Sequence, residues 1–122
     1  MIGKAGADPI VWSPTSVTAM SREYRQDAGE VVLDLSHVDF TEHTVAVDVS
    51  VDVGSLLVIL PPNVDASVLP HVGLGDGDVL GQRWNGIDKN RRQIVDNGID
   101  GPGGGHLDLV ANVDLGKLEV RR

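Results

Sequence analysis

The stretch VDVSVDVGSLLVILPPNV, residues 47–64, decides the fold predicted for this chain. Apolar residues occupy odd positions from Val47 to Val53 and even positions from Leu56 to Leu60, so the alternation shifts by one residue at Gly54. A regular strand keeps alternate side chains on one face. The shift therefore predicts a bend or bulge at Gly54, because glycine adopts such a backbone conformation at little steric cost.

The same shift recurs elsewhere in the chain. A pattern of apolar-x-apolar-Gly-x-apolar-x-apolar occupies residues 51–58 and 113–120, with a degenerate copy at 72–79 and a fainter one near residue 29. The predicted corner glycines are Gly29, Gly54, Gly75 and Gly116, at spacings of 25, 21 and 41 residues, the last close to two repeat units. Strand, glycine corner and strand in repetition predict an all-β, β-solenoid or β-helix-like single domain in which each turn buries its apolar face on the next. A sandwich of hairpins is the alternative, but few strong two-residue hairpin signals are present.

Composition narrows the class of function. The chain has 122 residues, no cysteine and a formal net charge of −8. The length suits one domain. The negative charge argues against a nucleic-acid partner, since phosphate binding needs clustered Lys and Arg. No run approaches the roughly 18 apolar residues of a membrane-spanning helix, and no signal peptide is visible.

The chain divides into two predicted parts. Residues 1–28 form an irregular lead-in or a membrane-to-domain join, in which 15–27 have only a thin apolar stripe, so a short helix and irregular structure both stay open. Residues 29–122 form the β domain. Within it, 82–105 is a polar, glycine-rich segment predicted as a long loop with one short strand at 93–95, and such loops are often functional.

The glycine-interrupted segments resemble a known family. The segments GEVVLDLSHVDF (29–40), residues 47–64, HVGLGDGDVLG (71–81) and GGGHLDLVANVDLGKLEVRR (103–122) are similar to the C-terminal soluble domain of bacterial LiaF-like and PspC-domain envelope-stress proteins. That domain is often called a toastrack domain, and its actinobacterial versions share this Asp- and Gly-rich style. The resemblance covers residues 28–122 and rests on structural motifs.

The resemblance implies a β-solenoid-like domain that follows transmembrane helices and regulates a two-component sensor kinase. Because this chain lacks a membrane segment, we interpret it as the excised soluble part or a stand-alone relative. We expect membrane association through a missing N-terminal segment, with the domain on the cytoplasmic face.

Candidate metal ligands do not form a recognisable set. The histidines have no metal-ligand spacing; they are His37, His43, His71 and His106. Residues 75–78 and 96–101 offer clustered oxygen ligands suited to calcium, but neither matches an EF-hand or a calcium-binding β-roll repeat. Turn formation by Asp, Asn and Gly is the favoured interpretation of both segments, and no metal or cofactor is predicted.

Catalytic residues are not predicted either. The chain has no GxSxG elbow, and Ser55 occupies a slot that holds Lys117 and Asp76 in the other copies, as an exposed corner position would. Acids alternate with valines and leucines on predicted strands, which is typical of a solvent-facing side. The residues 101–105 lack the Lys-Ser/Thr of a phosphate-binding loop.

Partner binding is assigned to the polar loop. Trp84, Arg91 and Arg92 are residue types enriched at binding hot spots, although Trp84 could instead cap one end of the solenoid while the arginines pair with acids. The terminal strand at 118–120 is expected to leave unpaired backbone groups, which favours a cap or self-association through an edge strand.

The predicted function is a non-catalytic regulatory or interaction domain with a protein partner, such as a membrane sensor kinase. The alternatives are a self-assembling structural scaffold and a domain that binds a small ligand or polysaccharide.

Overall fold

The chain forms a single seven-stranded sheet of mostly parallel strands in a computed structural model that describes residues 9–87, 93–97 and 105–122, without the side chains of 85–87. The strands are β1 (Ile10–Trp12), β2 (Glu23–Asp34), β3 (Thr44–Ile59), β4 (Asp65–Val79), β5 (Gln82–Ile87), β6 (Ile94–Asp96) and β7 (His106–Arg121). The all-β, solenoid-like fold predicted from the sequence is confirmed.

The four long strands each contain one corner glycine, and these glycines lie side by side. Gly29 of β2 pairs with Gly54 of β3, which pairs with Gly116 of β7, which pairs with Gly75 of β4. All four have φ between 116° and 146°, a backbone region that is open to glycine and strained for other residues. We call this row the glycine column. It divides each strand into a first arm before the glycine and a second arm after it.

The interior lies on the same side of both arms. In β3, Val47, Val49 and Val51 are buried before the corner, and Leu56 and Val58 are buried after it. The parity shift thus does what the sequence predicts, because the bend returns side chains to one core. A third side is supplied by the links after β2 and β3, whose buried side chains belong to the same cluster; they are Leu35, Val38, Phe40, Leu60 and Val64.

The strand order differs from the predicted succession of turns. The order is β1-β2-β3-β7-β4-β5, so β7 lies between β3 and β4 and is parallel to both. The chain leaves one strand position empty when it passes from β3 to β4, and its last strand fills that position. The expectation that residues 118–120 form an exposed edge is therefore wrong, since Leu118 pairs with both Leu56 and Gly77.

The predicted lead-in is part of the sheet. β1 pairs with the second arm of β2, and β2 itself begins at Glu23, so the boundary placed at residue 28 falls inside a strand. Residues 15–20 form a turn with hydrogen bonds from the amides of Ala19 and Met20, and no helix is present at 15–27. The thin apolar stripe of residues 15–27 offers too little apolar surface for a helix to pack against the core.

The predicted loop at 82–105 also contains strands. β5 runs antiparallel beside the second arm of β4, and β6 runs antiparallel beside the first arm, close to the short strand predicted at 93–95. Leu80 and Gly81 connect β4 to β5 with φ values of 50° and 89°, as in a type I′ hairpin turn. Leucine is an unusual residue at that turn position, and for this reason the sequence pattern gave no hairpin signal. Residues 88–92 and 98–104 of the predicted loop lie outside the described part of the chain.

The glycine column makes a matched prediction about stability. A Cβ added to Gly116 would lie 1.7 Å from the carbonyl oxygen of Gly54, whereas a Cβ on Gly29 would meet nothing within 4 Å. We expect Gly29→Ala to lose about 1–2 kcal/mol from backbone strain alone. Gly116→Ala should lose about 3 kcal/mol or more, or fail to fold, because strain and steric conflict combine. Equal losses for the two variants in urea unfolding would contradict the stacked corner.

Candidate interaction surface

Each long strand turns through a three-residue corner. The corners are residues 27–29 (DAG), 52–54 (DVG), 114–116 (DLG) and 73–75 (GLG). The residue at the first position is skipped by the strand pairing, and regular pairing resumes at the second. The first two rows of these corners, one acidic and one apolar, lie outside the core and form the candidate surface.

The second corner position carries an exposed apolar ridge. Val53, Leu115 and Leu74 are 50%, 46% and 50% exposed, and they are neighbours on β3, β7 and β4. Ala28 extends this row onto β2. We call Val53, Leu115 and Leu74 the corner ridge. These residues continue the alternation of buried residues such as Val51, so the apolar pattern alone does not predict their exposure; the bend places them outside.

The first corner position carries an acidic row, Asp27, Asp52 and Asp114. Asp27 and Asp114 are exposed and Asp52 is half-buried. On β4 this position is Gly73, where an added Cβ would lie 2.6 Å from the backbone oxygen of Asp114. Close packing of β4 against β7 therefore accounts for the missing fourth acid. A repeated Asp-apolar-Gly triplet is the sequence signal that could have identified this surface.

The far side of the ridge has mixed charge. After the glycine column, the next outward row consists of Glu30, Ser55, Lys117 and Asp76, in the strand order β2-β3-β7-β4. Only Lys117 carries a positive charge there. The ridge is thus bordered directly by three aspartates and Gly73 on its first-arm side and by residues of mixed charge on its second-arm side.

Trp84 lies on β5 and packs over the core rather than projecting from a loop. It pairs with Gly77, and a Cβ on Gly77 would lie 2.3–2.7 Å from three atoms of the indole ring. The ring is half-buried against the core cluster and occupies the space of the side chain that Gly77 lacks. This packing explains why residues 72–79 give only a degenerate repeat. Arg91 and Arg92, the other predicted binding residues, lie outside the described residues.

A pair of variants tests this packing. Trp84→Ala should destabilise the domain by about 2–3 kcal/mol, since large-to-small changes leave a cavity and the indole is only half-buried. Gly77→Ala should also destabilise the wild type, because its methyl group meets the indole. In the Trp84→Ala background the same Gly77→Ala change should raise the free energy of unfolding. If Gly77→Ala has the same effect in both backgrounds, the ring does not cover Gly77.

The end of β2 and the link that follows it place a serine, a histidine and two carboxylates close together in the sequence: Ser36, His37, Asp34 and Asp39. Asp34 accepts hydrogen bonds from the hydroxyl and the backbone amide of Ser36, at 2.5 and 3.0 Å, and these bonds lower the pKa of Asp34. Hydrogen bonds from Thr41 likewise lower the pKa of Asp39. These are local turn contacts of a common type.

The order of these contacts differs from that of a catalytic triad. The hydroxyl of Ser36 donates its hydrogen bond to Oδ1 of Asp34, and Nδ1 of His37 lies 3.3 Å from Oγ of Ser36. A triad places the histidine between the serine and the carboxylate, so that the imidazole accepts the serine proton. The groove beside this link has a volume of about 560 Å³ and is also lined by Pro61, Pro62 and Asn63.

The candidate oxygen and imidazole ligands considered in the sequence are dispersed. Residues 75–78 lie in β4 rather than in a turn, and Asp78 pairs with Arg83 at 3.1 Å. His106 bonds Asp108 at 2.8 Å, while His37, His43 and His71 are exposed. Among the residues that the structure describes, no group of three or more His, Cys, Asp or Glu side chains is arranged to hold a metal ion. Residues 98–101 of the second acidic segment lie outside that part of the chain.

Comparisons with known proteins support the fold alone. No family model and no curated protein matches this chain. A solved structure of a candidate cell adhesion protein from Clostridium sporogenes is similar over 81% of this chain and 53% of that one, with a TM-score of 0.51 and 15% sequence identity. This chain therefore spans about half the length of that protein. In residues 9–87, 93–97 and 105–122 no helix has the length and apolar character needed to cross a bilayer. Membership of the toastrack family stays a prediction.

Proposed function

We propose that this chain is a non-catalytic domain that binds a protein partner through its corner surface. The observation that carries the proposal is the corner ridge, in which three large apolar side chains about half exposed lie next to one another on adjacent strands. Contiguous exposed apolar residues bordered by polar ones are typical of interaction sites. The paired strands fix the backbone spacing of these residues, so little backbone entropy is lost on binding.

We further propose that the partner belongs to a bacterial envelope-stress system. The similarity of residues 28–122 to toastrack domains supports a regulatory role beside a two-component sensor kinase. In this proposal the domain is attached to the membrane through an N-terminal segment outside the present sequence and lies on the cytoplasmic face. The presence of a similar fold in a candidate cell adhesion protein is compatible with a binding role.

Rung-on-rung assembly is the weaker alternative. The antiparallel strands β5 and β6 cover Leu74–Val79 and Ala66–Val68 of β4, so the parallel stack is interrupted at that end. At the other end β1 covers only the second arm of β2. Because parallel rungs must pair edge to edge to form a filament, this arrangement disfavours an unlimited solenoid scaffold.

Affinity purification from solubilised membranes of the source cells tests the proposed function. The immobilised domain should recover an integral membrane protein with kinase activity, and adding free domain should change the rate of that kinase's autophosphorylation. Arg91→Ala and Arg92→Ala test the predicted loop contribution, and they should weaken recovery if the loop contacts the partner. Failure to recover any membrane protein, together with clear turnover in a hydrolase screen, would contradict a non-catalytic interaction domain.

A further inference from the structure

We propose that the corner surface binds an amphipathic helix of the partner, with apolar residues on the corner ridge and Lys or Arg side chains facing the acidic row. This inference rests on the proposed function and specifies the chemistry of the partner segment. It follows from the spacing of the ridge and from the charge on its two sides.

The spacing of the ridge is close to the pitch of an α-helix. Adjacent strands in a sheet lie about 4.8 Å apart, so the row Ala28, Val53, Leu115 and Leu74 extends for roughly 14 Å across the strands. A helix lying along this row advances about 5.4 Å per turn and presents one apolar side chain at each turn. An extended peptide presents same-side residues about every 6.7 Å, which falls out of step with the rows. The ridge therefore suits about three turns of helix.

The charge of the acidic row determines the composition of one helix flank. Among the described residues, no hydrogen bond or ion pair involves the carboxylates of Asp27, Asp52 or Asp114. Like charges on neighbouring strands repel one another. Basic side chains of a partner would relieve the repulsion and gain charge-assisted contacts.

The opposite flank faces a different surface. Beyond the glycine column, Lys117 lies between Ser55 of β3 and Asp76 of β4. A uniformly basic helix would gain less there than on the acidic row. The bound helix should therefore be asymmetric, with its cations on the flank that faces the first arms. This asymmetry fixes the rotation of the helix about its own axis.

The charge also argues against two other occupants. A net charge of −8 repels an anionic bilayer, and the acidic row of one copy repels that of a second copy. A basic protein segment is favoured by the same field, which also raises its association rate.

Synthetic helical peptides of about four turns provide the probe. The first carries leucines along one stripe and lysines on one flank, the second has glutamates in place of the lysines, and the third is a scrambled form of the first. Fluorescence anisotropy should show that the lysine peptide binds the domain at least about tenfold more tightly than either control, a difference of about 1.4 kcal/mol. Amide chemical shifts should change mainly at residues 27–30, 52–55, 73–76 and 114–117.

Matched variants locate the contact. Leu115→Ser should weaken binding of the lysine peptide about tenfold, whereas Leu69→Ser should have no effect, although Leu69 is 42% exposed on β4. The double variant Asp52→Asn/Asp114→Asn should reduce both the affinity and its dependence on salt. Glu23→Gln, an exposed acid at the start of β2, is the charge control and should leave binding unchanged. Urea unfolding of each variant confirms that it is folded.

Several outcomes would overturn the inference. Equal affinity for the lysine, glutamate and scrambled peptides would show that binding requires neither an amphipathic helix nor basic side chains. Equal effects of Leu69→Ser and Leu115→Ser would show that the ridge is not the contact surface. Flotation with phosphatidylcholine vesicles that depends on Leu115 would assign the ridge to lipid. A concentration-dependent dimer abolished by Leu115→Ser would assign it to a second copy. If the peptides fail but the domain still changes the activity of a purified membrane kinase, the proposed function stands and only this inference falls.

Discussion

At three of the four corners of the domain, those of β3, β7 and β4, the backbone of one strand lies so close to the next that a single methyl group has no room. A Cβ added to Gly54, Gly116 or Gly75 would lie 1.7–2.0 Å from the carbonyl oxygen of a neighbouring glycine. Each of these glycines also has a positive φ that other residues adopt only with strain. The chain can turn at the same place in successive strands only because no side chain is present there.

This bend also determines which side chains face the core and which face solvent. Residues before and after the glycine face one core, although their numbers change from odd to even, because the bend compensates for the extra residue. Val53, Leu115 and Leu74 lie on the convex side of that bend and are exposed for the same reason. The proposed binding surface is therefore a consequence of the corner itself. The aspartate side chains beside it make no hydrogen bond or ion pair among the described residues, and the proposed binding role gives them a function.

Much of the architecture was predictable from the positions of apolar residues and glycines. The parity shift at Gly54 and its recurrence at Gly116 specify corners because a side-chain period of two leaves only a bend or a bulge as a solution. Strand order was not predictable in the same way. The apolar pattern of β7 fits equally well beyond β4 or between β3 and β4, since every corner strand presents the same rows to its neighbours.

The missed details have local physical causes. The hairpin turn at Leu80-Gly81 uses a leucine in a left-handed conformation, which its packing against the core stabilises and which turn statistics do not suggest. Trp84 fills the space over Gly77 from a strand that the polar composition concealed. The exposure of the ridge was not predictable because alternation alone cannot tell where a bend moves a side chain outward.

The position of β7 is the most direct test of this account, and native-state hydrogen exchange measures it. With β3 on one side and β4 on the other, successive amides of β7 alternate between two partners, so residues 107–113 and 118–120 should be among the slowest to exchange, close to global unfolding. The amides of β1 and β6 should exchange much faster. If every second amide of β7 exchanged rapidly, as in an edge strand, β7 could not lie between β3 and β4, and the stacked glycine column would be contradicted.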